Sequence, residues 1–398
     1  MSWEKKTLDQ LGNISRGKSK HRPRNDPKLY GGQYPFIQTA DVKNANFYIA
    51  EYSDTYNETG LAQSKLWDMG TLCITIAANI ADTGILGIPA CFPDSVMGFI
   101  PYDGISDVRF VKYCFDMLQR DCKQISQGTA QDNLSWQKLS TIEFPAPPIE
   151  TQRRIADILS TYDDLIENNR KQIKLLEEAA QRLYKEWFVD LRFPGYEHTK
   201  ITDGVPEGWE KSTVAAVSSI LRRGISPRYN ENGKFVVINQ KCIRQTVVSF
   251  DESRQQEKPY PEDLNLQDSD TVICSTGAGT LGRVGQIFGN YPDTTLDSHV
   301  TLVRAKEGFG KQYLFQSLNS RQTYLMGMGK GSTNQLELSR GTIQDLDIYI
   351  PSKKVLNQFE QVAQPIHDKI SVISKSILQL QTARDRLLPK LMNGEVEV

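Results

Sequence analysis

The chain repeats itself with a period of about 200 residues, and a repeat that long restricts the fold more than any local signal. Trp3-Glu4-Lys5-Lys6-Thr7 returns as Trp209-Glu210-Lys211-Ser212-Thr213. Apolar residues spaced by three follow in each copy: Leu8, Leu11 and Ile14 before Arg16-Gly17, and Val214, Val217 and Ile220 before Arg223-Gly224. That spacing predicts a short amphipathic helix stopping at the glycine. Phe36-Ile37-Gln38 answers Val237-Ile238-Asn239, and the run from Leu66 to Cys73 answers the run from Leu266 to Ile273, residue for residue. Both pairs read as strands bounded by turn residues. Near the end of each copy a polar glycine loop, Gly128 to Leu134 or Gly331 to Leu336, leads through a short apolar strand to a proline, Phe144-Pro145 or Ile350-Pro351. Each copy is therefore expected to be a mixed α/β globule of about 150 residues.

A long helix is expected after each globule. Ile155, Leu159, Tyr162, Ile166, Asn169, Ile173, Leu176, Ala180, Leu183 and Trp187 step alternately by four and three, the spacing of a coiled-coil seam with one polar member, Asn169. Pro145, Pro147 and Pro148 precede this helix and Pro194-Gly195 end it, allowing a length of about 58 Å. The second seam runs Val355, Phe359, Val362, Ile366, Ile370, Ile373, Ile377, Leu380, Leu387, Leu391. Two successive steps of four and Pro365 predict a stutter or kink there. Such lengths exceed an ordinary core helix, so the two seams are expected to pair. Chain order then makes them antiparallel. The expected class is α+β: two mixed α/β globules separated by two long helices forming an antiparallel coiled coil, a pseudo-twofold internal repeat suited to reading two half-sites.

Composition removes several classes of protein. A hydrophobic content of 39 % fills real cores, which excludes global disorder. The first residues lack an apolar stretch and no run of about 18 apolar residues occurs, so a soluble, cytoplasmic protein without a membrane partner is expected. Cys73, Cys91, Cys114, Cys122, Cys242 and Cys274 form no CxxC pair, and the histidines lie far from them, which signals neither disulfides nor zinc.

Two segments resemble catalytic patterns. Gly277-Ala278-Gly279-Thr280-Leu281-Gly282 fits GxGxxG, but a glycine-broken β pattern follows it, so a β-hairpin is expected rather than a cofactor loop. Asp94 with Asp121, Cys122 and Lys123 loosely resembles a metal-dependent nuclease set, with no counterpart downstream of Pro292-Asp293. No catalytic residue, metal site or bound cofactor is expected.

The positive signals point to nucleic acid. Arg16, Lys18, Lys20, His21, Arg22, Arg24 and Lys28 concentrate charge in a glycine- and proline-containing segment, with Arg222, Arg223 and Arg228 at the equivalent place. Thr280 and Arg283 in the glycine hairpin join them. Thr129, Gln131 and Asn133 in one polar loop, and Ser332, Thr333, Asn334 and Gln335 in the other, can donate to and accept from base edges. The loop frame recurs while its polar residues differ, as readers of unlike half-sites would.

Over its whole length the sequence resembles the specificity subunits of type I restriction–modification systems. The resemblance is carried by Pro147-Pro148-Ile149-Glu150-Thr151-Gln152-Arg153-Arg154-Ile155-Ala156, Leu183-Tyr184-Lys185-Glu186-Trp187-Phe188, and Phe193-Pro194-Gly195 leading into Pro206-Glu207-Gly208-Trp209-Glu210. It implies target-recognition domains at residues 1–147 and 209–351, helical conserved regions at 148–192 and 352–398, and a linker at 193–208. It also implies a bipartite double-stranded DNA target, two modification subunits bringing S-adenosylmethionine, and motor-nuclease subunits bringing ATP and Mg chemistry. Pro365 and the missing glycine turn in the first domain depart from an even repeat. A coiled-coil scaffold with two protein- or glycan-binding globules is the alternative.

Overall fold

The computed structural model describes residues 3–76, 82–125, 136–277, 279–329 and 336–398. They form two compact units, residues 1–169 with 376–398, and residues 170–375.

In the first unit the predicted amphipathic helix divides. Leu8–Leu11 is a single helical turn, and Gly12–Arg16 is a strand, β1. The chain must pass so close to its neighbour at Gly12 that a Cβ would lie 2.4 Å from the Ile100 carbonyl oxygen. Further strands are β2 (Tyr30–Phe36), β3 (Tyr48–Ile49), β4 (Asp54–Tyr56), β5 (Leu66–Trp67), β6 (Leu72–Thr75), β7 (Thr83–Leu86), β8 (Ala90–Cys91) and β9 (Val96–Pro101). They build one sheet in the order β1-β9-β6-β7-β3 and another in the order β4-β2-β8-β5. Helix α1 (Val108–Ile125) follows, and its Phe110, Val111 and Phe115 pack with Leu72, Ile74 and Phe99 in the core. Glu4–Thr7 closes the unit by pairing antiparallel with Glu143–Ala146.

The second unit carries the same frame. Val214–Val217 is again one turn, stopping before β10 (Ser218–Arg223), so the second predicted helix is corrected in the same way. The strands β11 (Phe235–Ile238), β12 (Arg254–Gln256), β13 (Thr271–Cys274), β14 (Val284–Gln286), β15 (Thr294–Leu296) and β16 (Val300–Ala305) form sheets β10-β16-β13-β14 and β12-β11-β15. Phe36 faces Asp54 and Cys91 in the first unit; Val237 faces Arg254 and Thr295 in the second.

Register corrects two sequence pairings. Ile74 lies opposite Thr83 and Met97, as Ile273 lies opposite Val284 and Thr301, so Leu72 corresponds to Thr271 and not Val272. The left-handed turn before each strand, Gly70 at φ 87 and Ser269 at φ 67, sets this one-residue slip. Lys6 pairs with Phe144 and Ser212 with Ile348, so the counterpart of Phe144 is Ile348 rather than Ile350.

Helix α2 (Ile149–Tyr184) follows the prolines as expected, and a π-turn, Lys185–Val189, ends it ahead of Pro194. After α3 (Lys311–Asn319) comes α4 (Lys353–Met392), which runs through Pro365 without a break. In the first unit Ile155, Ala156 and Leu159 of α2 join Leu388, Leu391 and Met392 of α4 in the core. Asp163 accepts hydrogen bonds from Tyr113 Oη at 2.6 Å and from Arg384, and Asn169 Nδ2 reaches Ser376 Oγ at 3.5 Å. In the second unit Phe359 of α4 lies edge-on to Tyr184, Trp187 and Phe188. The expected seam position Val362 is 47 % exposed, while Ala363 is 3 % exposed. The buried stripe steps by four twice, from Phe359 to Ala363 to His367, before reaching Ile370 and Ile373.

Candidate nucleic-acid interface

The basic segment of the first unit is a held loop. Lys18 N donates to Phe92 O, and Gln63 Oε1 accepts from the amides of Lys20 and His21 at 2.6 and 3.0 Å. Ser64 Oγ donates to Lys18 O, and Tyr30 Oη to Arg24 O. These bonds tie the backbone down while the side chains of Arg16, Lys18, Lys20, Arg22 and Arg24 stay exposed. Arg24 and Arg22 converge on Asp94, at 2.5 and 3.7 Å. Asp26 accepts from the Lys28 amide and from His21, which hold its carboxyl below the usual range.

Asp94, the acid of the loose nuclease pattern, thus serves as the counter-charge of two arginines. The side chains of Asp121, Cys122 and Lys123 lie outside the described residues. Among the described residues no three acids, histidines or cysteines are gathered as a metal site. The five described cysteines are free and buried, and burial pushes the thiols of Cys73, Cys114 and Cys274 up.

In the second unit each predicted arginine of the basic segment has its own acid: Arg222 with Asp263 at 3.1 Å, Arg223 with Glu337 at 2.6 Å, and Arg228 with Glu257 at 3.5 Å. The glycine segment joins β13 to β14, which pair antiparallel, as the hairpin reading expected. A dinucleotide fingerprint needs a helix after its glycines to present N–H groups to phosphate, and a strand stands there. Thr280 Oγ1 donates back to Thr276 O at 3.0 Å, stapling the turn. Arg283 follows, half-buried.

The fold brings several of these residues together. Thr276 bridges to Glu337, and Gly277 N donates to Leu336 O, while Arg223 also donates to Leu338 O at 2.6 Å. The hairpin turn and the first strand's arginine thus meet the chain just after the second polar loop. Thr129, Gln131, Asn133, Ser332, Thr333, Asn334 and Gln335 themselves lie outside the described residues.

Sequence reasoning missed two features of this region. His299 Nδ1 and Thr276 Oγ1 are 2.7 Å apart, beside the hairpin. The Arg254 guanidinium sits 3.6 Å from the ring centre of Tyr229. Neither had a signal in the linear sequence, since each pair is separated by more than twenty residues and formed by strand register.

Comparison with known proteins bears on what this surface is for. Residues 1–178 match the family described as the type I restriction modification DNA specificity domain. The MjaIX specificity subunit of a type I restriction enzyme from Methanocaldococcus jannaschii is 27 % identical over 100 % of this chain and 94 % of its own length. The HindI specificity subunit from Haemophilus influenzae is 24 % identical over 97 % of this chain and 98 % of its own. Among solved structures, the type I restriction–modification S subunit from M. genitalium shares the fold with a TM-score of 0.57 at 17 % identity, covering 98 % of this chain and 96 % of that one. Among the described residues no helix is long and apolar enough to cross a membrane.

Proposed function

Taking the chain as one of the type I restriction–modification specificity subunits, to which it is similar over its whole length, we propose that each globule reads one half of a bipartite duplex target and that the chain itself catalyses nothing. The observation that carries this reading is the shared strand frame with unlike residues at equivalent edges. Phosphate contacts position a reader and base-edge contacts specify it. Arg16, Lys18, Lys20, Arg22 and Arg24 in the first globule, and Arg222, Arg223, Arg228, Thr280 and Arg283 in the second, are assigned to the first task. Thr129, Gln131, Asn133, Ser332, Thr333, Asn334 and Gln335 are assigned to the second.

In this proposal residues 1–147 and 209–351 are the readers, and the helical regions 148–192 and 352–398 pair as an antiparallel coiled coil that sets half-site spacing and docks two modification subunits. Its seam is Ile155, Leu159, Tyr162, Ile166, Asn169, Ile173, Leu176 and Leu183 against Ile366, Ile373, Ile377, Leu380 and Leu387, with Ala363 in place of Val362. The modification subunits bring S-adenosylmethionine, motor-nuclease subunits bring ATP and Mg, and the complex works in the cytoplasm.

Replacing residues 210–350 with the matching domain of a relative is the test. Methylation-site mapping should show one half of the recognised sequence changed, with the other half and the spacer length kept. Both halves changing together, or neither, would overturn the two-reader proposal.

A further inference from the structure

Arg254 stands at the edge strand β12 with its guanidinium 3.6 Å from the centre of the Tyr229 ring. Tyr229 is 42 % exposed and Arg254 is exposed. The ring is fixed in place by backbone: Tyr229 bridges to Gln256, and Glu257 N donates to Arg228 O at 3.0 Å. A guanidinium stacked on an aromatic face keeps its plane and leaves its N–H fork directed outward, preorganised for a planar pair of acceptors. Arg222, Arg223 and Arg228 each spend charge on a neighbouring acid, whereas Arg254 forms no ion pair among the described residues.

The equivalent positions in the first unit sharpen the assignment. Tyr30 lies opposite Tyr56 as Tyr229 lies opposite Gln256, and Asp54 lies opposite Phe36 as Arg254 lies opposite Val237. The tyrosine is therefore kept while the charge reverses. In the first unit Tyr30 packs edge-on to Phe36 and Tyr56, and Asp54 accepts from Gln38 Nε2 at 2.5 Å. Phosphate is the same anion at every step of DNA, so a phosphate-anchoring position has no use for a carboxylate. A base-reading position does, because aspartate accepts from cytosine N4 while arginine donates both bonds of its fork to guanine O6 and N7.

We propose that Arg254, held by Tyr229, reads a guanine in the half-site of the second globule; this rests on the DNA-recognition reading above. The test uses the full chain with its modification subunit and selects bound duplexes from a random-sequence pool. The wild-type protein should select a half-site containing a guanine whose replacement weakens binding about tenfold. Arg254→Ala should erase that single preference and Arg254→Lys should weaken it, each leaving the other half-site intact, because lysine keeps the charge and donors but lacks the planar fork. Tyr229→Phe should keep the preference and Tyr229→Leu should weaken it. A uniform loss of affinity restored by Arg254→Lys would mean a phosphate contact and would overturn the proposal, as would an unchanged half-site. Failure of the wild-type protein to select any sequence would instead defeat the DNA-recognition reading, and this inference with it.

Discussion

The two units differ most where their shared frame meets solvent. At the position of Asp54 the second unit has Arg254, and at that of Asp82, whose carbonyl accepts from Thr75 N, it has Arg283, whose carbonyl accepts from Cys274 N. Inside, the matching places share burial: Leu72, Ile74 and Phe99 in one unit, and Thr271, Ile273 and Val303 in the other. Register and burial constrain the inward residues, since a slip of one position would turn every side chain to the wrong face. The edges answer to no such constraint. Charge reversal at fixed geometry gives the two units unlike surfaces on matching strands.

Anchoring of the long helices offers the largest test of that contrast. In the first unit the Asp163 side chain is 4 % exposed and is held by Tyr113 and Arg384; in the second, Asp268 is 35 % exposed and meets His367 at 3.3 Å. Asp163→Ala leaves the buried Tyr113 phenol without its acceptor and Arg384 with Asp385 alone, and should cost about 2 kcal/mol in denaturant unfolding. Asp268→Ala should cost about 1 kcal/mol, since water replaces part of what is lost. Equal costs would show that burial of the carboxylate is not what distinguishes the two anchors.

A smaller effect concerns the basic segments. Asp94 pairs with two arginines, whereas Glu257 pairs with Arg228 alone among the described arginines. Asp94→Asn should raise affinity for duplexes of any sequence a few-fold at low salt, more than Glu257→Gln does, with the gain disappearing as salt rises. No gain, or a gain confined to one sequence, would remove Arg22 and Arg24 from the phosphate contacts.

The smallest expected effect is on acid stability. Burial raises the Asp268 carboxyl, but hydrogen bonding and charge from His367, with the Gly289 amide, outweigh it and bring the value to about 2. A depressed carboxyl contributes stability that is present above its unfolded value and lost as pH falls from about 4 toward about 2. Denaturant midpoints should drop over that range, and His367→Gln should flatten the drop. A variant with the same acid profile as the parent would assign acid sensitivity to other carboxylates.

Much of the architecture was legible from residues alone, and for identifiable reasons. The repeat was visible because its markers are chemically distinctive: Trp3 with Trp209, Arg16-Gly17 with Arg223-Gly224. The long helices were visible because a seam of apolar residues must return every third or fourth position, and prolines bracket the first. Strand register was harder. The strand segments Leu72–Thr75 and Thr271–Cys274 are mostly apolar in either alignment, and the left-handed turn at Gly70 is taken by Ser269 in the other copy, where no glycine advertises it. The turn at Leu8–Leu11 is shorter than the spacing predicts because Ile14 keeps the helical spacing while belonging to β1.

Apolar periodicity and prolines predicted on their own the long helices that the structure has at Ile149–Tyr184 and Lys353–Met392, because both signals are local and add up along the chain. Which side chains share a surface was decided by pairing between distant segments. Arg254 stands over Tyr229 because Tyr229 bridges to Gln256 of the strand that carries Arg254, and Arg22 and Arg24 find Asp94 across a separation of about seventy residues. Tertiary register carries that information, since a side chain's neighbours across a sheet depend on the partner strand's alignment and not on its own sequence.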